Sequence, residues 1–334
     1  VAVACQDKKE VEPNTPIAKE GDEVQFGASL DDSPESRTIY GDENSAGFPV
    51  FWLYDDEMIV ASPQCSRKTV NYGVQSNLFD PNDPWKTSAT AGTLERKGEA
   101  GVQWGSSNEA DFYSIYPQRT KVEAYTVTAT ETTDNVIFNI NTPEVQTCLV
   151  DLPKSGSTNP TMKTADMYSC FMYAKTEGAK KTEEAVNLKY VPFATAIRFK
   201  LKAPSNGCVI SDIKLTAPTD CPISGKYTVD LSSVSATNKY PTVTAVSGSR
   251  NTASMVARYS SNQNYLQISG TQSIELNIFI MLESGKTYDI SSGWELSVVV
   301  NGQLQTLSLD GTVVSGSTAN LEPGKVYRLP DLPA

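Results

Sequence analysis

The feature that most narrows the fold is strict alternation at 191–202. Val191, Phe193, Ile197, Phe199 and Leu201 fall on one side of an extended chain, and Arg198, Lys200 and Lys202 on the other. Successive strand side chains point to opposite faces, so this segment reads as a β-strand with one buried and one wet face. The same period covers Glu23–Ser29, with Val24, Phe26 and Ala28 inward. It also covers Lys121–Thr128, Asn135–Ile140, Val209–Leu215, Tyr227–Leu231, Ser273–Met281 and Glu295–Leu307. Within the last, Asn301-Gly302 predicts a two-residue hairpin turn, because Asn-Gly readily supplies the two positive φ angles of type I′. Thr176–Val186, rich in Lys and Glu, is the best helix candidate and reads as a charged connection. The expected class is all-β, with sandwiches favoured over barrels. A chain of 334 residues suggests about two domains. We expect a tether over 1–22, one domain over 23–184 and a second over 185–334.

Composition excludes chemistry. The chain holds no histidine, so no Ser-His-Asp triad, Cys-His dyad or HExxH zinc helix is available. Its net charge of −11 argues against nucleic acid, which would repel it. No stretch reaches the roughly 20 apolar residues of a membrane helix. The start, Val-Ala-Val-Ala-Cys5 followed by Gln-Asp-Lys-Lys, looks like the end of a bacterial lipoprotein signal peptide. Cleavage before Cys5 would leave that cysteine carrying lipid and anchor the chain to a membrane surface. The other five cysteines, Cys65, Cys148, Cys170, Cys208 and Cys221, show no CxxC pair; Cys148 and Cys170 read as buried thiols, and Cys208 and Cys221 could bridge across a hairpin.

Candidate sites are sparse. Asp31-Asp32, Asp55-Asp56-Glu57 and Glu183-Glu184 offer paired carboxylates, but a glycosidase needs two set about 5–10 Å apart across the scissile bond, which adjacency does not provide. These read as solvated loops. Asp80-Pro-Asn-Asp83 lacks the spacing of a calcium loop and reads as a turn. Trp85 and Trp104, in polar turn-rich stretches, could stack on sugar rings and support glycan binding, or act as lids over a core. No cofactor is implied.

What stands out is the order of short motifs. Arg37-Thr38-x-Tyr40 precedes Trp52-x-x-x-Asp56-x-Met58-x-Val60; then come Phe112-Tyr-Ser-Ile-Tyr-Pro117, Ala194-Thr-Ala-Ile-Arg-Phe199 and Pro323-Gly-Lys-Val-Tyr327. In this order and spacing the chain resembles the fimbrillin-like proteins of Bacteroides and relatives, type V pilins and minor fimbrial subunits. The resemblance implies two transthyretin-like β-sandwich domains, lipoprotein export to the outer membrane and assembly with other fimbrial subunits on the cell surface. It further implies assembly by strand exchange: an Arg-specific protease cuts after the first strand, and another subunit supplies a replacement. Carried onto this sequence, the cut falls at Arg37–Thr38 and the removable strand is Val24, Phe26 and Ala28. The candidate donor is Val326, Tyr327, Arg328 and Leu329. A host glycan or protein receptor is the remaining expected partner. The competing reading is a surface glycan-binding lipoprotein that does not polymerise.

Overall fold

The computed structural model describes residues 17–30, 52–53, 56–66, 68–79, 89–118, 128–131, 135–151, 161–164, 166–259, 263–311, 320–329 and 332–333. Cys5, Arg37, Thr38 and Trp85 lie outside these residues, as do Asp31, Asp32, Asp55 and positions 80–83. Among the described residues the regular secondary structure is strand, apart from one short 3-10 turn. In chain order the first are β1 (Phe26–Leu30), β2 (Glu57–Ala61), β3 (Thr69–Gln75), β4 (Ala91–Arg96), β5 (Glu109–Tyr116), β6 (Thr128–Glu131), β7 (Val136–Thr142), β8 (Val145–Asp151) and β9 (Thr161–Thr164). A 3-10 turn at Met167–Ser169 precedes β10 (Met172–Lys180), β11 (Val186–Pro192), β12 (Thr195–Lys202), β13 (Cys208–Thr216), β14 (Gly225–Asp230), β15 (Thr242–Ala245) and β16 (Thr252–Arg258). The last are β17 (Leu266–Ile268), β18 (Ser273–Ile280), β19 (Glu295–Val300), β20 (Gln303–Ser308), β21 (Val326–Arg328) and β22 (Leu332–Pro333).

The all-β expectation is met, with a difference in how the first layers join. Strands β1-β11-β10-β5-β2-β3-β4 form a hydrogen-bonded ring, closed because β4 pairs back onto β1. Its interior holds Trp52, Tyr72, Trp104, Phe112, Tyr116 and Tyr190, all buried. A second sheet, β15-β14-β7-β6, covers the outside of the ring: Ile59, Ala61, Tyr113 and Ile115 pack with Val136, Phe138, Tyr227 and Val229. That double burial explains β2, whose Met58-Ile-Val-Ala61 shows no alternation because both faces are dry.

The remaining strands make a sandwich. One sheet runs β20-β19-β13-β16-β8-β9, with β17 on β13; the other runs β18-β12-β21, with β22 on β12. Ile197, Phe199 and Leu201 of β12 and Ile274, Leu276 and Ile278 of β18 meet Ile213, Leu215, Met255 and Trp294 between them. The chain visits this sandwich at β8 and β9, returns to the ring for β10 and β11, and passes on to β12. A cut at 184 therefore falls between two ring strands. The outer edge of β18 is closed by a side chain: the buried Gln146 amide donates to Phe279 O (2.6 Å) and accepts from Phe279 N (2.8 Å).

Several sequence expectations change. Thr176–Val186 is not helical: β10 runs to Lys180 with a bulge between Thr176 and Ala179, where Gly178 takes φ +61°, and β11 begins at Val186. Pairing with β5 overrides the helix preference of its Lys, Glu and Ala. The run at 191–202 is two strands, because Phe193 N and Ala194 N both turn to Phe171 O (3.0 and 3.2 Å). Arg198 is buried, since the second face of β12 is also covered, and its guanidinium bonds Glu275 (3.0 Å). Cys208 and Cys221 are not bridged; Cys65, Cys148, Cys170, Cys208 and Cys221 are all free buried thiols. The Asn301-Gly302 turn forms as expected, with φ of 50° and 78°, joining β19 to β20.

Candidate functional site

The candidate site is the segment containing β1 and the seat it fills. A turn launches it: Gly21 takes φ +87°, and the Asp22 carboxylate accepts from Lys19 N at 2.6 Å. From there the backbone is stitched on both sides. Gly21 N donates to Trp104 O (2.9 Å), Trp104 N to Asp22 O (2.9 Å) and Val24 N to Val102 O (2.8 Å). On the other flank Val186 N donates to Gln25 O (2.8 Å). Phe26 then sits in register with Leu94 of β4, antiparallel, and with Val186 of β11, parallel. The first strand is thus held between two neighbours rather than lying at an edge. Glu23 adds an exposed ion pair to Arg96 at 3.0 Å, worth little by itself.

Alternation places Val24, Phe26 and Ala28 inward, each at most 2% exposed. Phe26 is the anchor. Its ring packs edge-to-face on Tyr72 (centroids 5.3 Å) and on Phe112 (5.1 Å), and Trp104 lies edge-on to Phe112 at 5.5 Å. The Tyr72 hydroxyl accepts from Val102 N at 2.7 Å, and burial pushes its pKa above the ordinary phenol value. Burial of the three inward side chains contributes of order 5 kcal/mol. If β1 left, Tyr72, Phe112, Leu94, Val186 and Leu188 would be uncovered, and β4 and β11 would each present a row of unpaired backbone groups. Sequence reasoning named the strand and missed its seat, although Phe112 lies in one of the quoted motifs and the Val186, Leu188, Tyr190 alternation was available in the chain.

The candidate donor is seated rather than free. Val326–Arg328 pairs in parallel with Ala196–Arg198 of β12, and Leu329 N donates to Arg198 O at 2.7 Å. Tyr327 and Leu329 are buried in the sandwich core. The Tyr327 hydroxyl accepts from Glu322 N at 2.8 Å. The first and last segments therefore occupy different sheets.

Other candidates resolve as structure. Trp104 is buried, so it is a core residue and not a sugar platform. Asp56 is buried too, accepting from Tyr116 Oη (3.0 Å) and Leu53 N (2.7 Å), which makes it the lock of a turn rather than a solvated acid. Glu57 faces Lys97 at 3.6 Å. Glu183 and Glu184 lie in the turn between β10 and β11.

Among curated proteins nothing matches the chain. Solved structures that match include a candidate cell adhesion protein from Bacteroides ovatus, at 13% identity and TM-score 0.48, covering 93% of this chain and 91% of that one. A fimbrial protein from Bacteroides vulgatus follows at 11% and 0.39, covering 91% and 93%. The fimbrial anchor protein Mfa2 from Porphyromonas gingivalis stands at 10% and 0.31, covering 86% and 83%. A family model described as fimbrillin-like matches residues 68–305. That span takes in β4 and β11, the two neighbours of the first strand, and runs into β20 of the far sandwich, so it joins both halves of the molecule in one match. By it, the chain belongs to the fimbrillin-like family.

Proposed function

We propose that this fimbrillin-like chain is a structural or adhesive subunit of a cell-surface fimbrium, exported as a lipoprotein through Cys5 and assembled by strand exchange at the seat of β1. Cleavage at Arg37–Thr38 by an Arg-specific protease separates the first strand from the rest of the chain. It is then held only by its hydrogen bonds and its inward side chains. One observation carries this reading: β1 lies between β4 and β11 with Phe26 on an aromatic floor. Its departure opens a slot that an extended segment fills on both counts, backbone ladder and alternate side chains. In the donor role, Val326–Leu329 of another subunit must first leave its own place on β12.

The test is Arg-specific protease treatment of the pure chain. Loss of the segment ending at Arg37, followed by detergent-resistant ladders, is the expected result. Equal ladder formation by Arg37→Ala would remove the processing step. Ladders that persist when the chain is cut back to Asn320 would remove the donor.

A further inference from the structure

We infer that the covered outer face of the β12–β18 pair holds an internal hydration site, in which ordered water joins the Asn277 amide to the Arg198–Glu275 ion pair. The site is independent of cleavage and of the fate of β1.

Alternation sorts the side chains of the two strands. Ile197, Phe199 and Leu201 of β12 and Ile274, Leu276, Ile278 and Ile280 of β18 face the sandwich core. Ala196, Arg198, Glu275, Asn277 and Phe279 therefore face the other way. That side is covered as well, because Met167 and Cys170 pack on Ala196 and Phe279. Asn277 is 1% exposed there. Neither its Nδ2 nor its Oδ1 has a hydrogen-bond partner among the described residues. The amide carries two donors and an oxygen with two lone pairs. Leaving such a group unmatched in the interior costs more than a hydrogen bond contributes, and buried polar atoms almost always have a partner in the protein or in ordered water.

Register sets an ion pair beside it. Asn277 stands directly opposite Arg198, and opposed residues of an antiparallel pair have Cβ atoms about 5 Å apart. Arg198 bonds Glu275 Oε2 through Nε at 3.1 Å and through Nη2 at 3.0 Å. Glu275 lies two positions before Asn277 on β18, on the same face. One positive and one negative group thus balance next to the amide.

This chemistry selects the occupant. An anion would take the amide N–H and leave Oδ1 against its charge. A metal cation would take Oδ1, crowd Arg198 and leave Nδ2 unmatched. Either would add a net charge to an interior whose charges already cancel, which desolvation opposes. Water is neutral, small, and both donates and accepts. It accepts from Nδ2 and donates to the Glu275 carboxylate, or accepts from the Arg198 guanidinium and donates to Oδ1, so both halves of the amide are met. Buried waters in proteins sit in such places, each with about three polar partners.

Magnetic relaxation dispersion of water, which counts internal molecules of long residence, tests this on the full natural chain and on Asn277→Leu. The variant is expected to lose at least one such molecule, because its side chain offers neither donor nor acceptor. An equal count in the two proteins overturns the proposal. An atomic-resolution crystal structure of the natural chain decides the matter alone where the variant does not fold. A water within hydrogen-bond distance of the Asn277 amide and of Arg198 or Glu275 is the expected result. An amide bonded directly to protein groups, a site holding an ion, or no ordered water beside Asn277 would each overturn it.

Discussion

Phe26→Ala is the sharpest probe of how firmly the first strand is held. The side chain is 2% exposed and sits edge-on to both Tyr72 and Phe112. Truncating a buried phenylalanine costs about 3–5 kcal/mol, from lost transfer energy and the cavity left behind. Two edge-to-face contacts vanish with it, each worth about 0.5–1.5 kcal/mol beyond area. The ring walls are hydrogen-bonded all round and cannot collapse into the hole, so the loss does not fall to the lower end of that range and is set at about 4 kcal/mol. Urea unfolding followed by tryptophan emission reads it, because Trp52 and Trp104 lie in this core. A loss below about 1.5 kcal/mol would refute the assignment of Phe26 as anchor. The same figure makes a kinetic prediction for the proposed assembly. After cleavage at Arg37 the variant strand leaves up to about a thousandfold faster, since each 1.4 kcal/mol is a factor of ten. Protease-treated Phe26→Ala then assembles sooner than the natural chain; an unchanged rate would mean that strand release does not limit assembly.

Gly105→Ala drives a Cβ into the Gln64 carbonyl oxygen; since that contact is with backbone, we expect a loss of about 2 kcal/mol, read as a lower calorimetric midpoint. Glu275→Ala leaves the buried Arg198 guanidinium without its 3.0 Å carboxylate, and because Glu275 is about a third exposed the cost is set at about 1–3 kcal/mol, measured by urea midpoint and recovered in part by Glu275→Asp. Burial raises the pKa of Tyr116, Tyr190 and Tyr227 above the unfolded value and moves the Cys170 thiol up to about 12. Groups of this kind stabilise the fold fully below their unfolded pKa and lose that contribution as pH rises toward the folded one. Stability should hold from pH 6 to 8, where no imidazole titrates, and fall above about pH 9; a midpoint unchanged at pH 11 would contradict the burial of these groups. Ellman's reagent should label Cys65, Cys148, Cys170, Cys208 and Cys221 only on denaturation; rapid labelling of the native chain at any of them would oppose the packing described.

Alternation made the strands legible wherever one face is wet, as in β13 and β14, and Asn301-Gly302 placed its turn to the residue. Where a strand is covered on both sides the signal degrades: β2 carries no alternation, and β12 hides Arg198 under a second layer. The charged run at 176–186 misled because local composition favours helix, while the pairing of β10 with β5 is settled by residues more than fifty positions away. Long-range pairing also explains why Val24, Phe26 and Ala28 could be read as a strand without its neighbours. The parallel partner β11 follows some 160 residues later, and no local pattern encodes that distance. Trp104 failed as a ligand platform because polar flanks describe the chain around it, not the interior its indole enters.

The closure of the ring also sets an order of events. Ser29 and Asn187, which bond through their side chains, stand 158 positions apart. Strand β2 meets β3 across a short connection, but β1 gains its parallel neighbour only after β10 has turned back into β11. Loop-closure entropy makes such distant pairing late and slow. A chain that emerges N-terminus first can pair β1 with β4 as soon as Arg96 is made, but lacks the second neighbour until β11 follows, so the seat stays half-built in between. The contact between β1 and β11 is thus the join that closes the ring, and it depends on the residues farthest apart in the chain among the ring's pairings.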